Sequence, residues 1–348
     1  MKQTNYAQLG FKRRADPKGI MNPGKMRAWE EQAATDDTEG NEALTNLFRT
    51  GKSSNNATKI TLENPKPSTS RYWSEWTTED FATSDLSKTV AILPLGATEA
   101  HGPHLPLGVD SMHNEFLLQK ALERLPEAVS VLALPPLEIT LSGEHAGFAG
   151  TLEVPPETAA ATWKHIGACV AKTGIRKLVL YNSHGGNQAL AEVVARRLRL
   201  DHGMLCVLAM DLGQAGKEAS ELFPPHELTY GLHGGAIETS LMLHIRPDLV
   251  SMQKASDFAS DAAGQARDAK FQYHGKGFGN KMGWLSQDLN TAGVVGDAAS
   301  LSDAGKGSRF ADASAANFAD LLVELHDIEN VDDILSSNPL FPPQGVKK

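Results

Sequence analysis

The 348-residue sequence predicts an α/β protein with a mostly parallel central sheet covered by helices on both faces. Short runs at 89–95, 177–181 and 204–210 are continuously apolar after a polar first residue at Thr89 and Lys177, rather than alternating, as in strands buried on both sides. Amphipathic helical stretches of 15 to 18 residues alternate with them, the spacing of strand–helix–strand crossovers. Glycine-flanked loops rich in histidine and carboxylate follow the apolar runs, and in open α/β sheets the active site lies beyond the carboxyl ends of the strands.

In chain order, a helix start falls at 76–80, capped by Thr77 or Thr78. Residues 89–95 form the first strand. Residues 111–125 form a helix with Phe116, Leu117, Ala121 and Leu125 on one face. A strand at 129–134 is ended by Pro135 and Pro136, and a helix at 156–173 is opened by prolines and closed by Gly174. A strand at 177–181, a helix at 187–201 and a strand at 204–210 follow. A helix at 236–244 stops before Pro247, and a long amphipathic helix occupies 304–326. Residues 1–70 are different: basic, then acidic, then rich in Ser, Asn, Thr and Pro. That composition buries little apolar surface, so the segment reads as a flexible or surface-draped extension, with room for short helices at 25–34 and 42–48. Residues 328–348 read as a tail, leaving 71–327 as the catalytic domain.

The net charge of −9 and the lack of a long basic stripe argue against a nucleic-acid partner. No apolar run approaches the roughly 20 residues that span a bilayer. The start lacks the apolar core of a signal peptide, and Cys169 and Cys206 form no CxxC or disulfide framework, so a reduced, cytoplasmic protein is expected. Both cysteines have apolar neighbours and read as buried thiols.

The stretch LPLGATEAHGPHLPLGVD, residues 93–110, places Glu99, His101, His104 and Asp110 in twelve positions directly after the first strand. Imidazole and carboxylate are the donors a divalent metal needs. Positions i and i+2 of an extended segment point the same way, so Glu99 and His101 can face a common ion while Asp110 returns from the far end of the loop. Three further segments are rich in site-type residues: SGEHAGFAGTLEV at 142–154, YNSHGGNQA at 181–189 and GLHGGAIETS at 231–240. His184 sits at a strand end; Gly185 and Gly186 let the backbone approach a ligand, and the helix beginning near 187 aims its positive end at the same place. Glu238 lies on an otherwise apolar helix, where a carboxylate needs a cation or a metal. His233 occupies the loop opening that helix. His145 reads either as a direct participant facing substrate or as a buried histidine behind the site. His113, His165, His202 and His226 read as surface or packing residues, and KGFGN at 276–280 lacks the strand–turn–helix frame of a phosphate loop.

TEAHGPHLPLGVD, GEHAGFAGTLEV, NSHGGN and HGGAIETS resemble, in order, the four motif blocks of the creatininase family of metal-dependent amidohydrolases, over about residues 71–327. The resemblance implies a three-layer α/β/α domain, two divalent ions per subunit (Zn, Mn or Fe) and a homo-oligomer, a hexamer in that family. It also places Glu99, His101, Asp110 and His184 on metal ligands, with Asp110 bridging. It puts Glu238 at the metal site, orienting water or completing a ligand shell, and makes His233 the histidine that assists catalysis. Two departures stand out: creatininases carry a metal-binding glutamate where this chain has Gly186, and a pocket tryptophan where it has Thr229. The implied activity is hydrolysis of a C–N bond in a cyclic or other non-peptide amide by hydroxide generated at the metals, with His145, Gly185 and Gly186 against a small-molecule substrate. Related branches cleave formamides, a C–C bond of cyclic polyol ketones, or a redox-peptide precursor. A metal-binding assembly protein without activity is the reading from another class.

Overall fold

The computed structural model describes residues 70–260 and 283–335. They fall within the compact unit Lys66–Lys348. The helices considered at 25–34 and 42–48, the KGFGN segment and most of the tail lie outside the described residues. Among the described residues no helix is long and apolar enough to cross a membrane.

The chain enters through α1, Thr78–Thr83, which Thr77 caps: its hydroxyl accepts from the Asp80 N–H, and the Asp80 carboxylate accepts from the Thr77 N–H at 2.8 Å. Then come β1 (Val90–Leu95), α2 (Val109–Arg124), β2 (Val131–Ala133), α3 (Pro156–Lys172), β3 (Lys177–Asn182), α4 (Gln188–His202) and β4 (Leu205–Met210). The four strands form one parallel sheet in the order β2-β1-β3-β4, as the apolar runs predict. Three short helices follow: α5 (Lys217–Leu222), α6 (Pro225–Tyr230) and α7 (Ala236–Ile245). The two-residue strand β5 (Asp257–Phe258), α8 (Ser286–Leu289) and the two-residue strand β6 (Gly296–Asp297) lead to the long α9 (Ala304–Asp327) and the short α10 (Val331–Ile334).

Alternation along β1 makes the third layer. Val90 and Ile92 pack with Leu118 and Leu122 of α2 and Phe318 and Leu322 of α9 on one face. Ala91, Leu93 and Leu95 pack with Trp163 of α3 and Val194 and Leu198 of α4 on the other. Tyr181 lies flat on Phe318 at 4.1 Å between ring centroids. The buried Lys177 ammonium donates to the His326 and Ile328 carbonyls, closing the end of α9 that would otherwise leave acceptors unmet.

Two expectations are corrected. Cys169 is exposed, not buried: its neighbours Ile166 and Val170 turn inward while position 169 faces out from α3. Cys206 is half-buried on β4, and burial pushes its thiol up to about 12.

Candidate metal centre

All four strands run the same way, so β1 and β3 open their carboxyl ends on one side of the sheet. The loop after β1 delivers Glu99 and His101, and the turn after β3 delivers His184. Asp110 and Glu238 sit in the first turns of α2 and α7, where unmet backbone N–H groups favour an anion. Asn187 ties the segments together. Its amide donates to the Gly96 carbonyl and to Asn182 Oδ1, and its oxygen accepts from the Leu141 N–H.

The donors converge into overlapping sets. Glu99, Asp110 and His184 form one, His101, Asp110 and Glu238 a second, and Glu99, His101 and His233 a third; within each, one donor atom per residue lies within 4.8 Å of the others, and all are buried. His184 Nδ1 stands 3.2 Å from Glu99 Oε1 and 3.4 Å from Asp110 Oδ2. His101 Nε2 stands 3.6 Å from both Asp110 Oδ1 and Glu238 Oε2. Asp110 belongs to two sets, the position a bridging carboxylate would take. His101 Nδ1 donates to the Glu99 carbonyl at 3.1 Å, which turns Nε2 toward the carboxylates.

The electrostatics show what the donor set can hold. Burial, with Asp110 beside it, pushes the Glu99 carboxyl up to about 7. Burial opposes the charge on Asp110, yet His101, His113 and His184 together hold it well below the carboxylate range. The same carboxylates outweigh burial at His101 and raise it to about 9, and they raise His184 further. Both oxygens of Glu99, Asp110 Oδ2 and His101 Nε2 have no hydrogen-bond partner although buried. Buried polar atoms go unpartnered only at high cost, so this donor set of carboxylate oxygens and imidazole nitrogens fits divalent cations.

His145 and His233 line the same space. Their rings lie 4.0 Å apart, and His145 Nε2 and His233 Nδ1 approach Glu99 Oε1 at 3.4 and 3.6 Å. Burial lowers His145 to about 4 and His233 well below its ordinary value, with His101 adding to both. His233 is therefore neutral because it is buried beside the imidazoles of His101 and His145. His233 Nε2 donates to the Ala100 carbonyl at 2.7 Å, leaving the Nδ1 lone pair toward Glu99.

Three features depart from expectation. His104 leaves the donor group and bonds Thr239 Oγ1 at 3.0 Å. His113, read as a surface or packing residue, is fully buried: its Nδ1 meets Asp211 Oδ2 at 2.7 Å and its Nε2 faces Asp110 Oδ1 at 3.5 Å. Its place three residues after Asp110 on one helix face was the available signal. Glu144, a letter of the second motif not singled out, brings Oε1 to 3.4 Å from His184 Nε2. His165, His202 and His226 are exposed, as expected.

The last motif is anchored from outside itself. Glu227 on α6 is buried; its carboxylate accepts from the Ala236 N–H at 2.6 Å and from the Asp297 N–H at 2.8 Å, fixing the start of α7. A Cβ at Gly231, Gly235 or Gly296 would come within 2.7 Å of that carboxylate. Gly234, at φ +63°, turns its N–H onto Glu238 Oε2.

A parallel sheet covered on both faces, with buried carboxylates and imidazoles converging past its strand ends, defines an α/β protein with a candidate two-ion centre. A model of the family described as creatinine amidohydrolase matches residues 74–322, and the chain belongs to the creatininase family. It is 32% identical over 170 residues to the mycofactocin precursor peptide peptidase of Mycobacterium ulcerans (strain Agy99), covering 47% of this chain and 62% of that protein, less than two thirds of its length. It is also 32% identical over 183 residues to the creatinine amidohydrolase of Pseudomonas putida, covering 48% of this chain and 68% of that one. Among solved structures, a zinc–zinc form of a mutant creatininase matches at 25% identity with a TM-score of 0.57, covering 74% of this chain and 99% of that one. A manganese creatininase matches at 24% identity with the same TM-score and the same coverages.

Proposed function

We propose that this chain is a metal-dependent hydrolase that cleaves the C–N bond of a cyclic or other non-peptide amide at two divalent ions. Glu99, Asp110 and His184 would hold one ion and His101, Asp110 and Glu238 the other, Asp110 being common to both sets. The observation that carries this reading is the set of buried, unpartnered donor atoms on Glu99, His101 and Asp110. Ions bound there polarise a carbonyl and make water acidic enough to supply a nucleophile at neutral pH. The protein's own part is positioning and proton handling. His101 is fixed by the Glu99 carbonyl and Glu238 by the Gly234 N–H, so neither must reorganise during the reaction. His233, neutral and anchored through Nε2, has its Nδ1 lone pair free to take a proton from the attacking water and return it to the leaving nitrogen. His145, Gly185 and Gly186 border the space left for substrate. Turnover of an amide that stops with chelator and returns with zinc or manganese tests the proposal; amide and peptide panels both untouched under every metal support a non-catalytic role.

Replacing His233 by alanine keeps both ions and lowers turnover by a factor of about 10² to 10⁴, the usual contribution of a general acid–base group. Metal analysis and turnover on one preparation check this; loss of an ion makes His233 a ligand instead.

Creatinine is expected to be a poor substrate. Position 186 carries no side chain and position 229 is a half-buried threonine on α6, so the glutamate and tryptophan that the resemblance associates with creatinine are both absent. Turnover of creatinine at tens per second, an ordinary enzyme rate, would overturn this. Cleavage of a peptide bond is the second reading, favoured by the 32% identity to a precursor-peptide peptidase; a short-peptide panel beside the amide panel separates the two.

The assembled state proposed is a homo-oligomer, a hexamer by family resemblance. Residues 1–70 carry no cluster of site-type residues, so deleting them should leave metal content unchanged and shift the oligomer distribution in sedimentation. Loss of metal on deletion would place the extension at the active site.

A further inference from the structure

His184 presents two nitrogens to two different environments. Nδ1 faces inward, to Glu99 Oε1 at 3.2 Å and Asp110 Oδ2 at 3.4 Å. Nε2 faces outward, and what lies before it is Glu144 Oε1 at 3.4 Å. A histidine that ligates through one nitrogen donates its other N–H to an acceptor, which fixes the tautomer and the ring plane. The turn Gly185–Asn187 passes directly beneath this contact. A Cβ built on Gly186 would lie 2.1 Å from Glu144 Oε1 and 2.4 Å from His184 Nε2, separations no real Cβ tolerates. By contrast, a Cβ on Gly185 meets nothing within 4 Å. Of the two adjacent glycines, then, only Gly186 is required by its surroundings, and what requires it is the Glu144–His184 contact. Glu144 is itself held from the opposite side: Ser286 Oγ of α8 donates to its carbonyl at 2.9 Å.

We propose that Glu144 is the positioning residue for His184, and that position 186 is glycine because the Glu144 carboxylate fills the space a side chain there would need. Glu144 reaches across from the second motif to set the ring of the third, and Gly186 keeps the path open. This rests on the two-ion reading of the site, since only a ligating His184 needs its outer nitrogen held.

The test is zinc affinity, measured on the full chain by competition with a chromophoric chelator, alongside the visible spectrum of the cobalt-loaded protein. Glu144→Ala is expected to weaken one of two ions about 10- to 100-fold, the usual effect of removing a ligand's outer partner, and to leave the other within about twofold. The cobalt bands should shift, because the ring of one ligand has moved. Glu144→Gln keeps the shape and one acceptor oxygen and should fall between wild type and alanine. Gly186→Ala, which keeps the glutamate at position 144, should match the Glu144→Ala loss because its methyl displaces the carboxylate from His184. Wild-type affinity and an unshifted spectrum in both Glu144→Ala and Gly186→Ala would overturn the proposal. Complete loss of one ion in Glu144→Ala would also overturn it, making Glu144 a ligand. Wild-type protein that takes up no zinc or cobalt at all would instead sink the two-ion reading, a result distinct from either. Glu144→Gln, isosteric and at the edge of the site, keeps the test valid if the alanine variant folds poorly.

Discussion

Replacing Asp110 by alanine is expected to empty both metal positions at once. Asp110 alone is shared by the set with Glu99 and His184 and the set with His101 and Glu238. His101→Ala and His184→Ala remove one donor from one set each, so each should sharply reduce one ion and spare the other. The variant that removes the bridge leaves two incomplete half-sites, Glu99 with His184 and His101 with Glu238. Elemental analysis should give near-zero metal for Asp110→Ala and about one ion for each histidine variant. Breaking such a buried charged cluster also costs stability, on the order of 3–5 kcal/mol when one partner is removed. Full metal content in Asp110→Ala would refute the bridging role.

Removing the metals should make stability fall steeply as pH rises from 7 to 9. Without ions, the folded protein holds a proton near Glu99 up to about pH 7, against 4.5 for an ordinary glutamate, so stability declines between those values. His101, raised from 6.5 to about 9, and His113, raised to about 10, contribute stability that is complete below 6.5 and is lost as pH climbs through their folded values. His104 and His145 are lowered to about 4, so their opposite contribution is complete by pH 6.5 and does not offset the decline above it. Bound ions take the protons' place and remove that slope. Each ion present at a thousand times its dissociation constant adds about 4 kcal/mol, which at about 2–4 °C per kcal/mol for a domain of this size shifts melting by on the order of 10 °C. Melting curves at pH 7, 8 and 9, with and without chelator, check this; parallel pH dependence in the two series would show that the ions do not occupy this cluster.

The sheet and the helices around it were legible because their signals are local. The runs at 89–95, 177–181 and 204–210 are apolar at every position but Thr89 and Lys177, and the structure places strands at Val90–Leu95, Lys177–Asn182 and Leu205–Met210. The convergence of Glu99, His101, Asp110 and His184 was readable because each lies in a glycine-rich loop or at the end of one. His113 was not. On an amphipathic helix a single histidine looks like a surface residue, and the partner that buries it, Asp211, is 98 positions away at the end of another strand. Burial of that pair is decided by which strand neighbours which, information no window of sequence holds. Glu144 escaped for the same reason, since its carboxylate matters through His184, which a different loop supplies. Cys169 shows the opposite failure: apolar neighbours in sequence said nothing about the helix face on which it sits.

The anchoring of the last motif by Glu227 has a consequence for how this chain can drift. The carboxylate fits only while Gly231, Gly235 and Gly296 have no side chains, and its two backbone donors come from opposite ends of that motif's surroundings. None of the four positions can change alone without a clash or two abandoned buried N–H groups. Loss of the glutamate would free Gly231 alone: Gly296, at φ +130°, would still bring a Cβ to 2.7 Å from the Gly235 Cα, and a Cβ on Gly235 would still meet the Val295 carbonyl at 3.0 Å. A side chain at position 231 should therefore follow loss of the glutamate rather than precede it, while positions 235 and 296 stay glycine whichever residue stands at 227.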